Sequence, residues 1–184
     1  MTKLSDFSLF PYLKADLSRA NCLVNGVDSS QSGLRFWLGM LSFRFLPVLL
    51  CRVAYFFYCR NIKPIAKIFS FVNFFLFGIE ISIRCRIGKG FFLPHTHGTV
   101  IGAWSIGANA TIFQGVTIGA RELDFEYKEE NRPKIHDDVI IGAGAKVIGG
   151  LTIGSNARIG ANAVVIEDVP QSSLAVGVPA RIIV

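Results

Sequence analysis

The chain has 184 residues, 51% of them hydrophobic with 16 Phe, which suits one domain or a domain with an appendage. Its 19 Lys+Arg against 13 Asp+Glu give a net charge of +6 that fits an anionic partner, a phosphorylated cofactor or a membrane surface, yet the charges are not spread as a nucleic-acid footprint requires. Cys22, Cys51, Cys59 and Cys85 lack metal-type or disulfide-scaffold spacing, and no secretory signal opens the chain, so they read as buried apolar residues of a reduced, cytoplasmic protein.

Residues 1–33 are polar and mixed, with helical turns expected around Phe10 to Leu23 and a loop from Asn25 to Gly33. From Leu34 to Ile79 the chain turns aromatic and aliphatic, and its only charges are Arg35, Arg44, Arg52, Arg60, Lys63 and Lys67. Pro47 and Pro64 suit helix starts and Gly78 a helix end, so helices are expected near 34–45, 47–60 and 64–77. No run reaches the roughly 20 apolar residues of a spanning helix. Two readings of this region stand side by side: a helical subdomain packed on itself or on sister subunits, and a basic apolar surface lying on the inner leaflet of a membrane.

From Glu80 onward a six-residue period takes over. It is clearest from Ile135 to Val169, where Ile or Val recurs at Ile135, Ile141, Val147, Ile153, Ile159 and Val165. Ala, Val or Leu recurs four residues after each, and Gly, Ala or Asn falls between them. Each flat side of a triangular coil needs one inward aliphatic residue, and each corner needs a residue that tolerates a sharp turn. Such a solenoid buries its aliphatic residues only by stacking coil on coil, which defines a parallel β-helix. The fold class is therefore mainly β, a β-helix over 80–184 preceded by an N-terminal helical region over 1–79.

The period breaks from Arg121 to Lys134, a charged excursion loop of the kind that solenoids place on a working face. Val176 to Arg181 is expected to cap the open end of the last coil. Of three histidines, His95 and His97 lie in Pro94-His95-Thr96-His97-Gly98 and His136 follows the loop. No further ligand accompanies the His-x-His pair at suitable spacing, so no metal is expected. His95 is either a solvated corner residue or a general base.

The run from Glu80 to His95, then Val100-Ile101-Gly102, Phe113 to Gly119, Pro133-Lys134-Ile135, Ile141 to Lys146 and Gly177 to Arg181, resembles the serine acetyltransferase branch of the left-handed β-helix acyltransferases. The resemblance covers about residues 50–184, including Cys51 to Tyr55. It implies an acetyl-CoA-dependent O-acetyltransferase assembled as a homotrimer or a dimer of trimers, with active sites between adjacent β-helices. His95 matches the family's catalytic base, and Glu80 stands where the family has an aspartate that orients it. Gly119, Ala120, Ala143 and Ala161 match positions whose backbone holds the pantetheine arm, and Lys146, Arg158 and Arg181 are candidates for the phosphates of CoA. His97, Trp104, Gln114 and Arg132 are candidates for the acceptor side.

Two departures bear on that acceptor. Pro94 replaces the family's aspartate that holds the serine amine, and Asn131-Arg132-Pro133-Lys134 lacks the histidine of the family's loop. These point to a saccharide acceptor, free or lipid-linked, of surface polysaccharide biosynthesis, in a cytoplasmic protein peripheral on the inner membrane. The alternatives are serine O-acetylation in cysteine biosynthesis and a non-catalytic β-helix scaffold.

Overall fold

A computed structural model of the chain describes residues 7–26 and 38–183. Three α-helices precede the solenoid: α1 (Leu9–Asn25), α2 (Leu46–Cys59) and α3 (Lys63–Phe77). Proline lies in the first turn of both α2 and α3, where its missing N–H costs nothing. Gly26 and Gly78 close α1 and α3 in the left-handed conformation, each returning its N–H to a carbonyl four residues earlier. The helix expected near 34–45 falls partly outside the described residues; in its described part Leu38 is helical and a 3₁₀ turn follows at Gly39–Leu41.

The solenoid is a left-handed parallel β-helix of short strands, β1 (Ile79–Ile81) to β14 (Arg181–Ile183), on three faces. Face A stacks β1, β3 (Thr99–Ile101), β6 (Thr117–Gly119), β9 (Lys146–Ile148) and β12 (Val164–Val165). Face B stacks β2 (Arg86–Ile87), β4 (Ser105–Ile106), β7 (Lys134–Ile135) and β10 (Thr152–Ile153). Face C stacks β5 (Thr111–Ile112), β8 (Ile140–Ile141), β11 (Arg158–Ile159), β13 (Leu174–Val176) and β14. Lys134 pairs with Thr152, Ile140 with Arg158 and Lys146 with Val164, so one regular coil takes 18 residues, three hexads.

The hexad pattern explains both the core and the corners. Ile112, Ile118, Ile141, Val147 and Ile153 are fully buried in an axial stack, and Ala110, Val116, Ala145, Ala157 and Ala163 fill the space beside them. Each buried Ile or Val contributes about 1.5–3 kcal/mol relative to exposure. At the turns Asn109, Asp138, Asn156 and Asn162 adopt positive φ, the conformation that short polar side chains tolerate best. At the C-terminal end β14 runs antiparallel to β13, with Val176 opposite Arg181. This hairpin covers the last edge of face C.

The helices are fixed to the first coils by buried charge. Asp16 of α1 and Arg52 of α2 form a bidentate ion pair, Nε to Oδ2 at 2.8 Å and Nη2 to Oδ1 at 3.1 Å. Arg52 also donates to the carbonyls of Ile87 and Gly88, and Asp16 accepts the Phe91 N–H. Arg19 adds donations to the carbonyls of Gly90 and Ala110. Of the six cations of this region, Arg52 therefore belongs to the packed interior and not to a basic surface: an arginine with a carboxylate and two carbonyls to satisfy its fork is stable inside.

The cysteines also differ from a uniform buried set. All four are free, but only Cys85 is fully buried, Cys51 and Cys59 are half-buried, and Cys22 is exposed near the end of α1. Burial pushes the Cys51 thiol up to about 11 and the Cys85 thiol higher still, so both stay protonated and unreactive near neutral pH. Among the described residues no helix is long and apolar enough to cross a membrane.

Candidate active site

Register places most of the candidate residues on face A and the two edges that bound it, and Arg158 and Arg181 on face C. The edge between faces C and A is a ladder of turns. The Gly115 N–H donates to the His97 carbonyl at 3.1 Å, the Gly144 N–H to that of Gln114 at 2.8 Å, and the Asn162 N–H to that of Ala143 at 2.8 Å. His95, His97, Gln114, Ala143 and Ala161 thus climb one edge of the solenoid, coil by coil. Glu80 opens the outward column of face A, which continues through Val100, Thr117, Lys146 and Val164.

The histidine turn is held by the end of α3. The Thr96 hydroxyl donates to the Phe77 carbonyl and the Gly98 N–H to the Gly78 carbonyl, both at 2.9 Å. Gly78 has φ of +60°, and a Cβ there would lie 2.8 Å from His97 Nδ1, so the glycine both ends the helix and makes room for the ring. His95 and His97 themselves are exposed, as is Glu80. Among the described residues no ion pair joins Glu80 to His95 within the chain. The remaining histidine, His136, lies just past β7 on a different edge, and no group of His, Cys, Asp or Glu among the described residues could hold a metal.

The opposite edge of face A carries the excursion loop. Gly119 and Ala120 lead into it and Trp104 lies one coil earlier, its N–H bonded to the Pro133 carbonyl. The loop is organised by Asp124, whose carboxylate accepts the N–H groups of Tyr127 and Lys128 and the Arg132 Nε at 2.8 Å. Arg132 also donates to the Gly102 carbonyl and lies 3.8 Å from the Tyr127 ring, while the Tyr127 hydroxyl reaches the Ala103 carbonyl at 2.6 Å. The guanidinium of Arg132 is thus directed into its own loop. Beside the loop an open groove of about 460 Å³ is lined by Arg121, Leu123, Asn131, Gly149, Gly150 and Ile166, among others, a size that suits a small-molecule ligand.

Asp124 gives the loop a defined response to acid. Burial raises its carboxyl, but the Arg132 side chain and the two backbone donors outweigh burial and hold it below the usual carboxylate range. A depressed carboxyl stabilises the folded loop fully above the ordinary aspartate value, and that contribution is lost as pH falls through the lowered one. Asp124→Asn should therefore speed hydrogen exchange at the Tyr127 and Lys128 amides by about tenfold at neutral pH. Unchanged exchange would mean the carboxylate does not organise the loop.

The cationic candidates fall on separate faces. Arg158 and Arg181 are exposed on face C, whereas Lys146 stands on face A and donates to the Gly115 carbonyl at 2.6 Å. The edge between C and A fits an extended amide-bearing ligand: Ala143 and Ala161 present no side chain beyond Cβ, and among the described residues their N–H groups have no acceptor. Nearby, the Gln114 Oε1 is buried with no donor. Asp16, Arg52, Asp124 and Tyr127 were not among the residues the sequence singled out. The available signals were a lone acid in the amphipathic α1 and a lone arginine within the apolar α2.

A family model described as bacterial transferase hexapeptide (six repeats) matches residues 132–167. The chain is 45% identical over 134 residues to a serine acetyltransferase of Bacillus pumilus, covering 72% of this chain but only 60% of that protein. It is 40% identical over 149 residues to a serine acetyltransferase of Helicobacter pylori, covering 80% of this chain and 85% of that protein. Among solved structures, Neisseria gonorrhoeae serine acetyltransferase superposes with a TM-score of 0.83 at 33% identity, over 98% of this chain and 66% of that one. A serine acetyltransferase in complex with CoA gives 0.81 at 28% identity, over 97% and 71%.

The expectation of a saccharide acceptor is overturned by these relatives, all of which are serine acetyltransferases. That expectation rested on Pro94 in place of an amine partner and on the missing histidine of the loop, and neither departure by itself excludes an amino-acid acceptor. With 85% of the Helicobacter protein covered at 40% identity, the chain belongs to the serine acetyltransferase family of hexapeptide-repeat transferases.

Proposed function

We propose that this chain transfers the acetyl group of acetyl-CoA to the hydroxyl of L-serine, working as a homotrimer with its sites between neighbouring β-helices. The observation that carries the reading is the exposed His95 at the head of an edge whose later turns, Ala143 and Ala161, offer backbone N–H groups without acceptors. The thioester arm lies along that edge, its amide carbonyls accepting from these groups. Gly119 and Ala120 line the approach beside the loop, and Arg158 and Arg181 meet the phosphates.

The His95 imidazole accepts the serine hydroxyl proton as Oγ attacks the thioester carbonyl. The C–S bond then breaks, the CoA sulfur takes the proton back from the imidazolium, and O-acetylserine leaves. Glu80 is the positioning carboxylate for that imidazolium, and Arg132 acts by holding the loop in shape. His97 and Trp104 border the acceptor. Leu123 and Phe125, 87% and 86% exposed near the loop tip, supply apolar surface for a neighbouring copy to cover.

The test is an acceptor panel read by release of the CoA thiol. L-Serine should give saturable turnover, serine methyl ester and N-acetylserine much less. Equal turnover on all three, or none on any, would remove the serine reading.

A further inference from the structure

Helix α3 is apolar on both sides. Ala66, Asn73 and Phe77 pack inward, while Ile68, Phe71, Phe74, Phe75 and Leu76 point out, with Phe71 65% and Phe75 75% exposed. A contiguous row of large exposed apolar side chains belongs in an environment that covers it. Lys63, Lys67, Phe71 and Phe75, spaced four apart, form one line along the exposed side, so two cations continue directly into two stacked aromatic rings. Elsewhere in the helical region Phe43, 75% exposed, and the exposed cations Arg44 and Arg60 flank α2.

The charge on this surface selects its occupant. Among the described residues of the helical region Asp16 is the sole carboxylate, and it is buried against Arg52, so the described part of its outward surface carries cations and no acid before Glu80. Pairing with the same face of a second copy would set these cations against one another. An anionic lipid surface instead supplies phosphates to the lysines and arginines and an apolar layer for the rings. We infer that the exposed face of α3, with Lys63 and Lys67 at its edge and Phe71 and Phe75 at its centre, docks on an anionic membrane surface. The inference is independent of the acceptor.

The full chain is tested by flotation with vesicles of phosphatidylcholine alone and of phosphatidylcholine with phosphatidylglycerol, at low and high salt. It should float with the anionic vesicles at low salt and fall away at high salt or without phosphatidylglycerol. Phe71→Ser with Phe75→Ser, and separately Lys63→Glu with Lys67→Glu, should each cut the bound fraction by about tenfold with circular dichroism unchanged. Both pairs sit at exposed positions, and if one pair disturbs folding the other gives the same reading. Absence of flotation, or flotation indifferent to both pairs, would overturn the inference. So would a larger assembly in sedimentation velocity that dissociates with the Phe pair while vesicle binding is lacking, because a second copy would then cover the face.

Discussion

His95→Ala is expected to lower kcat for acetyl transfer to serine by about 10²–10⁴-fold, the range for loss of a positioned general base. The side chain is exposed and makes no packing contact that the core needs, so stability should stay within about 0.5 kcal/mol of the parent. The loss should appear in kcat rather than in the KM for acetyl-CoA, because Ala143, Ala161 and the cations proposed to meet the donor are on later coils. Stopped-assay kinetics beside a thermal melt separate the two effects. A variant with near-parental kcat would show that the histidine is a solvated corner residue.

Arg52→Ala should be the most destabilising single change away from the site. It leaves the Asp16 carboxylate buried with only the Phe91 N–H as donor and frees the carbonyls of Ile87 and Gly88. Breaking one side of a buried pair costs about 3–5 kcal/mol, whereas replacing both partners with apolar groups of similar size is often near neutral. Urea unfolding should therefore show a large drop in midpoint for Arg52→Ala and a much smaller one for Asp16→Leu combined with Arg52→Met. A drop below about 1 kcal/mol for the single variant would mean the pair does not weld the helices to the β-helix.

The β-helix was legible because its constraint is local and repeated: from Ile135 to Val165 an inward Ile or Val recurs every six residues, and a break such as Arg121 to Lys134 is visible as a loss of period. Helix ends were legible for the same reason, since Pro47, Pro64 and Gly78 act on their own neighbours. Arg52 was not legible. Its partner Asp16 is 36 positions away, and nothing local distinguishes it from exposed Arg44 or Arg60.

The site was legible in its parts but not in its arrangement. Only the register between coils shows that His97, Gln114 and Ala143 belong to one edge, while Trp104 and Ala120 belong to the other. The acceptor was misjudged because charge partners were counted at two sequence positions, which do not by themselves decide how an amino acid is held. The internal engagement of Arg132 by Asp124 and Gly102 was equally out of reach, being a contact made within a loop that has no period.

The most direct measurement is product identification by mass spectrometry after incubating the chain with L-serine and acetyl-CoA carrying a labelled acetyl group. The account predicts labelled O-acetylserine, formed in step with CoA and nearly abolished in His95→Ala. Hydrolysis of acetyl-CoA without labelled O-acetylserine, or labelled product formed equally by His95→Ala, would contradict it.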